Sequence, residues 1–177
     1  MSWATVLSAA LEGLLHPLAT PAHVVALAGL ALVGGRNNRN SLSAGVVVAA
    51  FALGLAAGLG ALAWGAGEMP AADALLAGAA LCGLTAAAGV TPPVAFAAPM
   101  ALASGVALGV DSPPDAIRLG DAMAMLTGTA CGAVAALAVM TPTAAVIARW
   151  RDGIALRVAG SWIAAIAMMA LAVRWGT

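Results

Sequence analysis

The stretch LSAGVVVAAFALGLAAGLGALAW, residues 42–64, carries no charged side chain over its whole length. A helix of about 20 apolar residues spans the hydrocarbon core of a bilayer, so the stretch predicts a transmembrane helix. The glycines of GLAAGLG (54–60) superficially resemble a nucleotide-binding loop. Because they lie inside an apolar run, we predict instead that they let neighbouring helices approach closely.

The rest of the chain has a similar composition. Of its 177 residues, 63% are hydrophobic and 8% are charged, and its mean hydropathy is +1.04. A soluble domain carries about 25% charged residues, which this chain lacks. The composition therefore predicts an all-α, polytopic transmembrane helical bundle in the lipid bilayer, forming a single integral membrane domain over residues 1–177. The formal net charge is zero, which predicts no nucleic-acid partner.

Prolines, glycines and charged residues divide the chain into about six membrane segments. The first segment is broken, because residues 3–15 and 22–35 are each too short to span alone and Pro17 and Pro21 interrupt the backbone between them. The other predicted segments are 42–64, 72–90, 94–110, 116–140 and 153–173. The predicted breaks after four of them are the acidic loop that follows Trp64, Thr91-Pro92-Pro93, DSPPD (111–115) and Thr141-Pro142.

The arginines predict an orientation, since cytoplasmic loops are enriched in Lys and Arg. If the loop 35–41 is cytoplasmic, the arginines inside are Arg36, Arg39, Arg149, Arg151 and Arg157. The charged residues outside are then Arg118, Arg174, Glu68, Asp73, Asp111 and Asp115. This distribution predicts that both termini are extracytoplasmic.

Both histidines lie in HPLATPAH (16–23). In a regular helix their seven-residue spacing separates them by about 10 Å, too far to share one ion. Pro17 and Pro21 disfavour a regular helix, and broken membrane helices often build ion sites. Two interpretations stay open: a metal site, or two partly buried imidazoles hydrogen-bonded to backbone or water. Glu12, four residues before His16, either orients that imidazole or lies exposed on a helix face.

A second polar group contains Asp111, Asp115, Arg118 and Asp121. Asp115 and Asp121 each lie three positions from Arg118, so one arginine can face two acids on a helix. Asp111 and Asp115 are also ordinary residues for a loop. Asp121 lies more than one turn inside its predicted span and needs a partner there, for which Arg118 is the nearest. Asp121 and Arg118 are therefore candidates for a relay or an ion pair, to which Glu12 is added.

The segment LEGLLHPLATPAHVVALAGLAL (11–32) resembles the first membrane segment of the HupE/UreJ family. These small membrane proteins occur with hydrogenase and urease systems and are implicated in nickel uptake. The family pattern is Gly, two apolar residues, His-Pro, a short turn and Asp-His. The matching residues are Gly13, His16, Pro17 and His23, and Ala22 replaces the family's Asp.

A second stretch, ASGVALGVD (103–111), resembles a family motif of two histidines, each followed by Gly, and then an acid. Ser104 and Leu108 occupy the histidine places, and Asp111 keeps the acid. The last segment, 155–173, also resembles the closing helix of the family. The resemblance covers nearly the whole chain in order and length.

The resemblance implies a permease or facilitator for nickel or cobalt, multi-pass in the bacterial inner membrane. Its metal residues would be His16, His23 and Asp111, a weakened set because two histidines are replaced. The ion would be transient cargo, and no other cofactor is expected. The alternative is a structural or assembly subunit that has kept the fold and binds other membrane subunits or a second copy of itself. No nucleophile–base pair is evident, so we expect no enzymatic activity.

Overall fold

The computed structural model describes residues 3–36, 41–62, 65, 70–116, 118–149 and 153–176, and every regular element in these ranges is helical. The all-α prediction is confirmed. The helices are α1 (Trp3–Ala19), α2 (Pro21–Arg36), α3 (Ser41–Ala61), α4 (Ala71–Ala87), α5 (Val94–Val110), α6 (Leu119–Ala148) and α7 (Ile154–Trp175).

The two double-proline sequences end helices as predicted. α5 stops before DSPPD (111–115), and α4 stops before Thr91-Pro92-Pro93. α4 ends at Ala87, three residues earlier than predicted, in a turn where Gly89 has a φ of 77° and the N–H of Val90 bonds to the carbonyl of Thr85 at 3.1 Å. The predicted span 94–110 coincides with α5. A proline lacks the backbone N–H and disfavours helical geometry in the residue before it, so consecutive prolines end a helix efficiently.

The break predicted at Thr141-Pro142 is wrong, because α6 continues through Pro142 to Ala148. A single proline removes one helical hydrogen bond, and nearby Ser and Thr hydroxyls help membrane helices to tolerate the loss. The carbonyl that loses its donor at Pro142 is that of Ala138, and the neighbouring Thr143 hydroxyl donates to the next carbonyl, that of Val139, at 2.8 Å. One proline without a second breaker is therefore insufficient to end this helix.

The predicted interruption of the first segment is narrower than expected. α1 continues through Pro17, and only Thr20 separates it from α2, which begins at Pro21. Proline is favoured at the first position of a helix, where its missing N–H costs nothing. Backbone bonds continue across the break, from Thr20 N to His16 O and from Val24 N to Thr20 O, each 3.1 Å. The two helices are nevertheless bent by 67°.

Glycines hold three helix pairs in close contact: α1 with α6, α3 with α5, and α4 with α7. A methyl group on Gly54 would lie 2.0 Å from the carbonyl oxygen of Leu102, and one on Gly105 would lie 2.2 Å from that of Phe51. Only a hydrogen fits at such positions. The prediction that GLAAGLG mediates helix packing is confirmed for Gly54 and Gly58, which both lie against α5.

α2 lies at the centre of the bundle and contacts each of the other six helices. Leu27, Leu30 and Val33 are each 1% exposed. They pack in a core that also contains Phe51, Leu75 and Leu137 from the surrounding helices. The side chains at the beginning of α2 are therefore held in position by the core.

Three helices, α3, α6 and α7, are long and apolar enough to cross a membrane, and the bent pair α1–α2 would be a fourth. This is fewer than the six predicted segments. α4 and α5 are apolar but have 17 residues each, which corresponds to about 26 Å against a hydrocarbon core of about 30 Å. Large apolar side chains cover much of the outer surface, such as Leu53, Val139 and Trp162, each at least 66% exposed.

Side-chain contacts define two ends of the bundle. At the first, the histidine end, His23 at the start of α2 contacts Asp111 after α5. Arg174 at the end of α7 contacts Asp73 at the start of α4 there. Pro21 and Arg174 line one cavity, so the two contacts lie on the same side. Arg118, just before α6, follows Asp111 through a short loop.

At the second, the arginine end, the last turns of α2, α4 and α6 meet the first turn of α7. Leu32, Ala86, Ala144 and Leu156, one from each helix, form a small buried cluster there. Arg36, Arg149 and Arg157 belong to this end. The predicted division of the arginines therefore holds for the five that the structure describes. Arg39, Arg151 and Glu68 lie outside the described residues.

Candidate metal centre

The bend between α1 and α2 brings the two histidines together. His16 lies in the last turn of α1 and His23 in the first turn of α2. Their ring centroids are 5.3 Å apart, and the ring planes are inclined by 70°. A straight helix would separate them by about 10 Å. The bend at Thr20 is therefore what makes the pair possible, as the prolines in HPLATPAH indicated.

Asp111 joins the histidine pair from α5. Its Oδ2 lies 3.0 Å from Nε2 of His23. His23 is fully buried, whereas the Asp111 side chain is 26% exposed. Asp111 directly follows the last residue of α5, and its backbone N–H still bonds to Ala107. The helix end thus fixes the carboxylate in position, with one side toward the core and one toward the exterior.

The next residue helps to fix this helix end. Ser112 is buried, and its hydroxyl donates to the carbonyl of Leu108 at 2.8 Å. Carbonyls in the last turn of a helix lack intrahelical partners, so a buried hydroxyl there stabilises the end. The prolines at 113 and 114 then stop the helix. Asp111 is therefore held in position by hydrogen bonds at the end of α5 and not by a free loop.

Two imidazole nitrogens in this group are buried without a hydrogen-bond partner among the described residues: Nε2 of His16 and Nδ1 of His23. An unsatisfied buried polar atom costs about 1–3 kcal/mol. In the neutral tautomer that donates Nε2–H to Asp111, Nδ1 of His23 carries a lone pair. The group therefore contains nitrogen atoms that are available to bind a water or a cation.

The spacing of the rings is compatible with one shared ion. Metal–nitrogen bonds of about 2.0–2.1 Å place the centroids of two imidazoles on a tetrahedral ion about 5 Å apart, and the observed separation is 5.3 Å. Within the described ranges, however, no three His, Cys, Asp or Glu side chains are grouped closely enough to hold an ion together. The Asp111 carboxylate faces His23, so the arrangement is a histidine pair with a carboxylate behind one ring.

Glu12 does not orient His16 as one interpretation proposed. Its side chain is exposed and forms no hydrogen bond or ion pair with any residue that the structure describes. The carboxylates whose charges act on His16 are instead Asp111 and Asp115. The four-residue spacing on α1 was therefore a misleading signal, and the acids that matter come from the end of α5 and the loop after it.

The predicted Arg118–Asp121 ion pair is absent from the described part of the chain. Arg118 precedes α6 with an extended backbone, and Asp121 lies in the first turn of that helix. A carboxylate in the first turn is stabilised by the positive end of the helix dipole. Because α6 begins at Leu119 and not at residue 116, Asp121 is close to the helix terminus and needs no arginine partner.

One face of α5 is buried along the stretch that resembles the second family motif. Ser104 is 9% exposed, Leu108 is fully buried in the core, and Asp111 follows on the same side. The place where the resemblance expects a histidine is thus occupied by an apolar side chain facing the interior. No nitrogen donor is available from this position.

A polar contact that the sequence did not predict lies at the same end of the bundle. Asp73 accepts a hydrogen bond from Nε of Arg174 and a second, of 3.1 Å, from the indole N–H of Trp175. These residues are 101 and 102 positions apart along the chain. Their placement near helix ends was visible in the sequence, but nothing local indicated that they pair.

Comparison of the chain with protein-family models, with curated proteins and with solved structures gives no match.

Proposed function

We propose that this chain is a multi-pass membrane protein of the HupE/UreJ type that binds a divalent transition-metal ion and passes it across the bacterial inner membrane. The convergence of His16 and His23 at the bend, with Asp111 behind His23, carries this proposal. Nickel and cobalt are the favoured cargo, because imidazole suits these ions and the resemblance points to nickel. The ion is substrate and not a resident cofactor.

The donors that we assign are Nε2 of His16 and Nδ1 of His23, the two buried nitrogens without a partner. Asp111 is then not a ligand: its carboxylate accepts a hydrogen bond from the other ring N–H of His23. Carboxylates commonly orient metal-binding histidines in this way and raise their basicity. This differs from the expectation that Asp111 is itself a ligand. It follows from the 3.0 Å contact that already engages its Oδ2.

A site of this composition binds weakly. Two imidazoles leave at least two coordination positions of a tetrahedral ion to water, and Leu108 offers no further donor. Weak, open coordination suits a protein that must release its ion on the other side. It also means that affinity alone is a poor measure of function.

The arginines support an orientation. Arg36, Arg149 and Arg157 gather at one end, and the acids Asp73 and Asp111 lie at the other. By the positive-inside rule the arginine end is cytoplasmic, so the histidine pair would receive its ion from the extracytoplasmic side. Six membrane passes require α4 and α5 to cross in a locally thinned bilayer, which shorter helices can cause.

A second candidate function is a structural or assembly subunit without metal chemistry. Leu108, buried where the family motif has a histidine, favours it. In this case the His23–Asp111 contact is an ordinary buried polar pair. The exposed apolar faces would contact lipid, a second copy or another subunit.

Calorimetry on the detergent-purified full chain with Ni²⁺, Co²⁺ and Zn²⁺ tests the metal proposal, with His16→Ala and His23→Ala as variants and Glu12→Gln as the control, because Glu12 is exposed and has no described contact with either histidine. We expect saturable binding that both histidine variants abolish and the control retains. Proteoliposomes enclosing a metal-sensitive dye then measure passage. Absence of binding up to millimolar ion would reject the metal site and favour the subunit.

A further inference from the structure

Two guanidinium groups meet at the C-terminal end of α4. Nη1 of Arg36, the last residue of α2, donates to the carbonyl of Ala86 at 2.8 Å. Nε of Arg157, in the first turn of α7, donates to the carbonyl of Ala87 at 3.0 Å. The final carbonyls of a helix carry partial negative charge and attract cations. Three helix ends are thus joined by two arginines.

The positive charge at this place exceeds the negative charge. Arg36 and Arg157 are close enough to repel each other, and a helix C-terminus offers only about half of one negative charge. Neither arginine forms an ion pair with an acid in the described ranges. The acids of those ranges lie on α1 or at the histidine end. Among the described residues, about one and a half positive charges at this place remain uncompensated.

Most of the hydrogen-bonding capacity of the two arginines is also unused. A guanidinium has five N–H donors, and the described contacts use one on each residue. Arg36 is half-buried, whereas Arg157 is exposed. The planar donor fork of arginine matches the spacing of phosphate oxygens and binds them in pairs. The pair therefore has the charge and the donors to hold a phosphate group.

Two glycines lie against the guanidinium groups. Gly89 and Gly153 have φ angles of 77° and 78° and lie against the arginines. A methyl group on Gly153 would lie 3.4 Å from Nη2 of Arg36, and one on Gly89 would lie 3.6 Å from Nε of Arg157. Side chains larger than glycine would be strained at these φ angles and would cover the donors.

We propose that Arg36 and Arg157 form a binding site for a phosphate oxyanion at the arginine end of the bundle. An anionic phospholipid headgroup is the favoured source, because both arginines stand at the ends of apolar helices, where headgroups lie. Inorganic phosphate offers the same chemistry. The proposal does not depend on the metal site, which is at the opposite end.

Native mass spectrometry of the full chain in a neutral detergent tests this site with phosphatidylglycerol and phosphatidylcholine of identical acyl chains. A parallel calorimetric titration uses inorganic phosphate. The variants are Arg36→Gln, Arg157→Gln and Arg157→Lys. The control is Arg149→Gln, which removes an exposed arginine of the same end without a described contact to a helix carbonyl.

We expect the wild type and the control to prefer phosphatidylglycerol, and each glutamine variant to weaken that binding about fivefold. Arg157→Lys keeps the charge and should lose less. Binding of inorganic phosphate with the same arginine dependence, and no lipid preference, would identify the free ion as the ligand. Equal weakening by all four variants, or no effect of Arg36→Gln and Arg157→Gln in either arm, would overturn the proposal. If one glutamine variant fails to fold, the other glutamine variant is compared with Arg149→Gln by the same two measurements.

Discussion

The imidazole of His23 lies 3.0 Å from the carboxylate of Asp111, although 88 positions separate the two residues along the chain. His23 is fully buried and Asp111 is one quarter exposed, so the pair connects the core of the bundle with its exterior. The contact engages Nε2 of His23, and Nδ1 has no hydrogen-bond partner in the part of the chain that the structure describes. This asymmetry distinguishes an orienting carboxylate from a ligand, and it can be tested.

Asp111→Asn should lower the metal affinity without abolishing binding. Asparagine can still accept a hydrogen bond from His23 but places no negative charge beside the ring. Loss of such an orienting partner typically costs about 10- to 100-fold in affinity. The measurement is the same calorimetric titration with Ni²⁺. Glu12→Gln, which removes an exposed acid with no described ion pair, should change the affinity less than about threefold. Complete loss in Asp111→Asn would make Asp111 a direct ligand.

The same pair should be coupled in stability. Asp111→Leu leaves Nε2 of His23 buried without a partner, and His23→Leu removes the partner of a partly exposed carboxylate. We expect a loss of about 1–3 kcal/mol for Asp111→Leu and a smaller loss for His23→Leu. The double variant should be more stable than the sum of the two losses predicts, because a polar pair is replaced by apolar contact. Thermal unfolding in detergent compares the stability of the wild type, the two single variants and the double variant.

If the stability losses of the two single variants add up to the loss of the double variant, the His23–Asp111 contact contributes no stability as a pair. A double variant as stable as the wild type that also loses metal binding would be the most informative result. It would show that the pair is dispensable for the fold and is retained for its chemistry. If the chain is a structural subunit, we expect that the wild type itself binds no metal.

The helical class and several helix ends could be predicted, because each depends on a local property. The length of the apolar runs predicts the helices, and consecutive prolines predict helix ends close to those observed at residues 87 and 110. The break predicted at Pro142 is wrong, because one lost hydrogen bond is tolerated in a helix that is packed on both sides of the proline, and a proline alone does not reveal that packing. The count of membrane passes also depends on how a bilayer adapts to 17-residue helices.

The candidate site was predictable in part. HPLATPAH indicated a bend, and the bend brings the two histidines together. The contact of Asp111 with His23 exists because α5 ends beside the start of α2. This neighbourhood is a property of the topology, which the local sequence does not reveal. Glu12 lies exposed, the second of its two interpretations, and Asp121 forms no ion pair with Arg118 among the described residues, because the direction of α1 and the start of α6 determine their neighbours. Contacts across 88 or 101 positions have no local signature.

Asp73→Asn should destabilise the bundle mainly at low ionic strength. The Asp73–Arg174 pair is partly exposed, so its charge component is screened by salt. The hydrogen bond from Trp175 survives in asparagine, which still has a carbonyl acceptor. We expect a lower melting temperature than the wild type in dilute buffer, with the difference shrinking at about 1 M salt. Glu12→Gln, an exposed acid without a described partner, should show no such difference. A salt-independent loss would assign the effect to hydrogen bonding.

Gly54→Ala should separate α3 from α5. A methyl group at Gly54 would lie 2.0 Å from the carbonyl oxygen of Leu102, which is backbone and cannot rotate away. Overpacking of this kind costs about 1–3 kcal/mol. Gly60→Ala is the matched control, because Gly60 lies on the same helix and has nothing within 4 Å of the added methyl. There we expect unchanged or slightly higher stability, since alanine favours a helix by up to about 1 kcal/mol over glycine. Thermal unfolding in one detergent compares the two, and equal effects would show that the α3–α5 contact is looser than the glycine spacing implies.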